Sequence, residues 1–464
     1  MLIPLVLTVA PLLLTDTIPA SDAAVLGDPV DEYGVAAAVS ATPVSFAVSP
    51  RTDVTLLGEP IRFATFVNEE SPPPPPAESV ALLPFQVLAS SPFPGEGLPG
   101  LPVHQIDAPV NMGFTPAELD RAIQSVYDEL YRGQFPGAAI AIGRWGSTVI
   151  EQGFGTLDRS PGSPTVDPDY AIYDLASLTK VIATTTAVML LHEDGRIHLD
   201  APVSQYLPAF SGPGKDAVTI RHLLTHMSGL PAGGDVSGPT VDAALWKAVN
   251  IPLKTRPGQV VEYSDIGFIV LWAAAESAYG APLTELLRTR VFEPLGMNMT
   301  SFQPGESCIR CAPTAPRPGY QGVVHDPIAR RLGGVAGHAG LFSTVHDLSK
   351  FAAMLASRGE LNGVRVFRPE TIELFTQRQP GADVRALGWE TPAPSGTGAG
   401  GIRISSTAFG HTGFTGTSLW VDPQRGTWVV LLSNRTYDDG PNRMQALRRT
   451  LNDSVAIAVD PGSD

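Results

Sequence analysis

The chain has 464 residues, 43% of them hydrophobic and 17% charged, with a formal net charge of −15. That is ample material for a large buried core, and it fits one large domain with extra segments. The acidic balance argues against nucleic acid and anionic membrane surfaces as partners, because like charges repel.

Residues 1–14, MLIPLVLTVAPLLL, form an apolar run of signal-peptide length, too short to span a bilayer comfortably. Small residues follow, so a signal peptide over 1–23 and export to the periplasm or beyond are expected. The n-region carries no Lys or Arg, which leaves a mis-set start or an uncleaved anchor as alternatives. No cysteine precedes Cys308, so a lipid-modified N-terminal cysteine is excluded. Residues 24–110 are rich in Pro, Ala, Ser and Val and include the run Pro72 to Pro76. They read as a mostly disordered leader and linker, with short pieces such as 60–67 able to make strands.

One large domain is expected over 111–460, with 461–464 as a tail. Thr115 to Glu118 reads as a capping box with Pro116 at the first helical position. Leu119, Ile123, Val126, Tyr127 and Leu130 continue at helical spacing until Gly133. Strand patterns follow at 137–145 and 147–155, joined by a tight turn. A mostly helical middle occupies 177–310. Strand patterns return at 409–423 and 427–434, and a helix is predicted from Asn442 to Ala458. This order implies an antiparallel sheet assembled from both ends of the domain, with a helical insertion and a groove where the two meet. No stretch after the leader reaches the roughly 18 apolar residues of a membrane span.

Three short motifs carry chemistry. In Ser177-Leu178-Thr179-Lys180, helical spacing puts hydroxyl and ammonium on one face, where a lysine can help remove the serine proton. Lysine is scarce, five against 26 arginines, and only Lys180 has a serine three residues before it. Arginine cannot substitute, because it does not give up its proton. Tyr263-Ser264-Asp265 precedes an apolar helix. A tyrosine near a lysine cation can accept and return a proton, although a buried hydrogen-bonded tyrosine is the plainer alternative. His411-Thr412-Gly413 lies in a strand pattern whose glycine marks a close approach, or else a bulge or hairpin. The next amide, Phe414, and that of Ser177 are candidate oxyanion donors.

Cys308 and Cys311 read as a local disulfide in an exported protein. A redox CxxC lacks its strand-to-helix setting here, and zinc needs about four ligands, for which His325 and His338 are badly spaced. No metal or other cofactor is expected. His222, His226, His338 and His346 read as residues that shape turns or satisfy core hydrogen bonds.

The three motifs in this order resemble the serine β-lactamase and penicillin-binding-protein superfamily, in its class C-like branch of DD-peptidases and family VIII esterases. Segments 220–231 and 333–351 resemble further signatures of that family. The resemblance covers about 115–458. It implies an α+β fold, an antiparallel sheet flanked by helices with a helical subdomain. It implies that Ser177 forms an acyl-enzyme and that Lys180 and Tyr263 act as a coupled proton-transfer pair. The amides of Ser177 and Phe414 then form the oxyanion hole, and Asp265, His411, Thr412 and Gly413 contact substrate. Two residues depart from the pattern. Asp265 stands where Asn is usual, and an anion beside the lysine favours its protonated form. His411 stands where β-lactamases usually have Lys. The expected activity is hydrolysis of a small amide or ester, D-alanyl carboxypeptidase-like or carboxylesterase-like, with β-lactam hydrolysis third. The rival is a silent binding protein. Expected partners are a small-molecule or peptide substrate.

Overall fold

The computed structural model describes residues 103–104 and 108–460, apart from 439. The predicted signal peptide, nearly all of the Pro-rich segment and the 461–464 tail lie outside the described residues. The chain divides into units 1–91 and 92–464, and the described residues belong to the second.

Its main sheet has six strands: β1 (Val103–His104), β2 (Gly137–Arg144), β3 (Ser147–Gly155), β4 (Phe409–Thr412), β5 (Ser418–Asp422) and β6 (Thr427–Ser433). The order is β1-β3-β2-β6-β5-β4, and every pairing is antiparallel. Both ends of the domain therefore meet where β2 pairs with β6, with Ala141 opposite Val430. β1 falls inside the stretch read as linker. The strand pattern read over 409–423 is interrupted. Thr412 is opposite Ser418, and Gly413–Thr417 form the turn between β4 and β5.

Helices cover both faces. α1 (Pro116–Tyr131) and a C-terminal helix lie over one face, where Leu119, Val126, Phe154, Leu431, Leu447 and Leu451 share a core. The expected capping box is absent. Thr115 makes no side-chain cap bond, and Glu118 takes up Arg121 at 2.7 Å. The helix start is docked instead, since the Thr115 amide donates to Ala458 O at 2.7 Å. The larger core lies on the other face and includes the helical insertion.

Four of these helices matter below: α2 (Thr186–Glu193), α3 (Ile220–Leu224), α4 (Asp265–Tyr279) and α5 (Val345–Ala356). From Ile266 to Ala275, α4 is buried at every residue. That explains why its sequence is apolar all round rather than on one stripe. The bent pair 265–279 and 283–292 passes a length-and-composition test for a membrane span, but no single described helix is long and apolar enough to cross one.

Candidate active site

Ser177 does not sit on a regular α-helix, as the spacing suggested. It lies in a 3₁₀ turn, Ala176–Leu178, and Lys180 opens a π-helical segment, Lys180–Thr185, that runs into α2. Ala176 adopts a left-handed φ of 47°. Lys180 Nζ nevertheless reaches Ser177 Oγ at 3.0 Å. Ser177 is half-buried and Lys180 is 0% exposed.

The turn is bolted down from several sides. Asp174, just upstream, accepts from the amides of Ala176 at 2.9 Å and His325 at 2.6 Å. Burial pushes its carboxyl up to about 6, against those two hydrogen bonds. Thr415 donates to Asp174 O at 2.7 Å, and Thr417 donates to Leu175 O at 2.9 Å. The loop after β4 is thereby fixed against the backbone preceding Ser177. Gly413 is required by packing. A Cβ there would lie 2.1 Å from Thr417 Oγ1 and 2.5 Å from Leu175 O. The close approach signalled by this glycine is therefore one of backbone to backbone. It brings the segment carrying Phe414 next to Ser177, while the Phe414 ring stays exposed and stacks on His325 at 5.6 Å.

The lysine has three oxygen neighbours. Besides Ser177 it donates to His338 O at 3.3 Å and forms an ion pair with Asp265 at 2.7 Å. Asp265 is the first residue of α4, held there because the Ser264 side chain caps Gly267 N at 2.9 Å. Tyr263 immediately precedes that cap, and its ring centroid lies 4.6 Å from Lys180 Nζ. Two imidazoles flank the same ring, His226 at 4.5 Å and His411 at 6.1 Å.

Both imidazoles are neutral. Burial, and then the charges of Arg385 and Lys180, hold His226 well below the usual histidine range. Burial, Lys180 and Arg385 do the same to His411. Their tautomers differ. His226 Nδ1 accepts from the Ser264 amide at 2.9 Å, whereas His411 Nδ1 donates to Thr412 O at 2.8 Å. His411 is thus a buried neutral group at the root of the cleft, 2% exposed, and Thr412 beside it is half-buried.

Four residues that carried no functional reading in the sequence converge here: Asp174, His226, Asp326 and His338. His338 Nε2 donates to Asp326 at 2.9 Å. Burial opposes charge on Asp326, but the hydrogen bond and charge of His338, the Ala329 amide and Lys180 together outweigh it and hold the carboxyl well below its usual range. Ligand atoms of Asp265, Asp326 and His338 lie within 4.8 Å of one another. Lys180 and the His338 proton already engage those carboxylates. A second group of this kind, Glu151, Asp169 and His346, lies elsewhere, and His346 bonds Glu151 at 2.9 Å. His222 completes the cap of α3. The signal that could have found His338 and Asp326 was their place in the glycine-rich segment and just before it.

Cys308 and Cys311 are joined in a disulfide. Their loop abuts the strand leading to Ser177, since Ile172 and Cys311 form a parallel bridge.

A family model described as Beta-lactamase matches residues 119–452. The chain belongs to the beta-lactamase family. As a member it is a serine hydrolase of that type. A protein of Salmonella agona named "Putative D-alanyl-D-alanine carboxypeptidase" is 29% identical over 381 residues, covering 74% of this chain and 88% of that one. Among solved structures, a penicillin-binding protein homologue from Caulobacter crescentus superposes with a TM-score of 0.62 at 22% identity, over 75% of this chain and 99% of that one. The hydrolase EstCE1, described as having promiscuous acyltransferase activity, gives 0.59 at 22% identity, over 74% and 99%. These two likenesses establish the fold, an α+β arrangement of antiparallel sheet, flanking helices and helical subdomain.

Proposed function

We propose that Ser177 is the nucleophile of an acyl-enzyme mechanism acting on small esters and amides. The observation that carries this reading is the contact of Lys180 Nζ with Ser177 Oγ at 3.0 Å, beneath the Tyr263 ring. Ser177 Oγ attacks the carbonyl carbon, and its proton passes to the Tyr263–Lys180 pair. Amides of Ser177 and Phe414 hold the oxyanion. Collapse breaks the C–O or C–N bond, and the pair returns the proton to the leaving alcohol or amine. Water then adds to the acyl carbon, gives its proton to the same pair, and releases the acid. Ser177 recovers its hydrogen.

Asp265, Thr412, Gly413 and His411 shape the substrate side. A neutral His411 offers no permanent cation for a carboxylate, which favours uncharged esters. D-alanyl peptide hydrolysis is the second reading, favoured by the name carried by the Salmonella relative. The enzyme is proposed to work outside the cytoplasm, in keeping with its disulfide.

The test is covalent labelling with a fluorophosphonate, read by intact mass. The wild type should gain one adduct and Ser177→Ala none. A silent binder gives no adduct in either. Rates on p-nitrophenyl butyrate, a D-Ala-D-Ala peptide and nitrocefin then rank the substrates.

A further inference from the structure

The proton-transfer role of Tyr263 has an electrostatic requirement. A phenol accepts and holds a charge more readily where the net charge around it is positive. Lys180 provides that only in part, because its cation is paired with Asp265 at 2.7 Å. Asp265 therefore offsets part of the charge that Lys180 presents to groups nearby.

A second cation lies over the same ring. Arg385 Cζ is 5.3 Å from the Tyr263 centroid. Its loop is rigidly held. The Arg385 amide donates to Ala382 O, Gln379 N donates to Arg385 O, and Gly388 N donates to Leu224 O, each at 2.9 Å. Gly388, at a φ of +85°, is pressed on the π-helical segment so closely that a Cβ would lie 2.0 Å from Thr185 Oγ1. The loop is therefore clamped between the lysine-bearing segment and the end of α3.

The guanidinium is loosely paired. Its side chain is 14% exposed, and its ion pair with Glu390 spans 3.7 Å, longer than the 2.7 Å of Lys180–Asp265 and beyond hydrogen-bond length. The remaining groups around Tyr263 do not compete with it. His226 and His411 are neutral. Glu262, the preceding residue, is paired with Lys254 at 2.9 Å. Asp326 is engaged by His338, and Arg448, whose charge also bears on His411, adds positive potential.

We propose that Arg385 is a positioning residue that adds, at Tyr263, to the positive charge left by the Lys180–Asp265 pair. The inference rests on the acyl-enzyme reading above. It also accounts for how an aspartate is tolerated at 265, since the charge it cancels on one side of the ring is replaced from the other.

The experiment is the pH dependence of kcat/KM for p-nitrophenyl butyrate, a substrate without charge. Arg385→Gln should move the acidic limb up by about one pH unit, a loss of about tenfold below the limb. Arg385→Lys should keep the wild-type limb. Asp265→Asn in the Arg385→Gln background should bring the limb back, because it frees the charge of Lys180. No merely structural role for Arg385 predicts that rescue. Should Arg385→Gln not fold, Asp265→Asn alone tests the same balance and should move the limb down. An unmoved limb in Arg385→Gln, or a double variant no better than the single, overturns the proposal. So does a loss confined to carboxylate-bearing substrates, which would make Arg385 a substrate ligand. Failure of wild-type Ser177 to take a fluorophosphonate is a different result, and it removes the acyl-enzyme reading itself.

Discussion

Lys180 and Lys215 are buried almost equally, at 0% and 2% exposure, and each ammonium lies 4.6 Å from an aromatic centroid, Tyr263 or Phe210. Their other neighbours differ. Lys215 donates to Val249 O at 2.7 Å, at the end of the helix Val241–Asn250, where a cation complements the helix dipole. Lys180 meets a hydroxyl, a carbonyl and a carboxylate. Burial over an aromatic ring therefore does not set Lys180 apart from Lys215. The adjacent Ser177 hydroxyl and the counter-charge do.

The sharpest way to break the contrast is to remove each ammonium in turn. Lys180→Met should lower kcat/KM for an activated ester by roughly a thousandfold, in the range of a lost proton-transfer group. Lys215→Met should leave it within about threefold, as expected of an independent, distant site. Equal losses would make burial itself, and not the Ser177 contact, the common cause.

That contrast also explains what the sequence made legible. Ser177, Lys180, Tyr263 and His411 could be picked out because their partners lie one to three residues away or in motifs of fixed order. Lys215 could be set aside because Gly212 stands where the serine would be. Asp326, His338 and Arg385 could not be found this way, because their roles arise only when loops far apart in the chain meet at one ring or one ammonium. The fold was readable at its ends, where periodicity is strong. It was misread where tertiary contacts overrode local signals, as at Thr115, whose helix is secured by Ala458, and at Gly413, where packing on Leu175 turns the strand.

Adding a third buried lysine sharpens the comparison. His411→Lys would place an ammonium at a 2% exposed position whose charged neighbours, Lys180, Arg385 and Arg448, are all cations. Unlike Lys180 it would have no carboxylate, and unlike Lys215 no helix end. The variant should lose about 3 kcal/mol of stability, as an unpaired buried charge does, read from the urea midpoint. Unchanged stability with faster nitrocefin turnover would show that the longer side chain escapes into the cleft and serves substrate there.

Carboxylates offer the same contrast with opposite sign. Asp265 faces a cation, whereas Asp174, 2% exposed, faces two backbone amides and is pushed up to about 6 by burial. A carboxyl raised in the folded state contributes stability that is fully present below its unfolded value, near 3.8, and is lost as pH rises through about 6. Asp174→Asn stays neutral throughout, so the stability difference between wild type and variant should change by about 2–3 kcal/mol across that window. Chemical denaturation at pH 4 and pH 7 measures it. A flat difference would mean that the two amides fully replace water for the carboxylate.

The smallest effect belongs to Lys215, where only the charge state is at issue. Burial lowers its pKa from the ordinary 10.5. A lysine lowered in the folded state binds its proton less tightly than the unfolded chain does. Its contribution is therefore fully present above 10.5 and is lost as pH falls through the lower folded value. Wild-type stability should rise relative to Lys215→Met as pH climbs towards 10.5, and the variant should lack that slope. Unfolding free energies at pH 7, 9 and 10.5 for both proteins isolate the term, because every other titrating group is shared. Parallel curves would mean that the Val249 carbonyl and the Phe210 ring hold the ammonium as well as water does. Lys215 would then be an ordinary cation out of sight, and the carboxylate beside Lys180 would be needed for its chemistry alone.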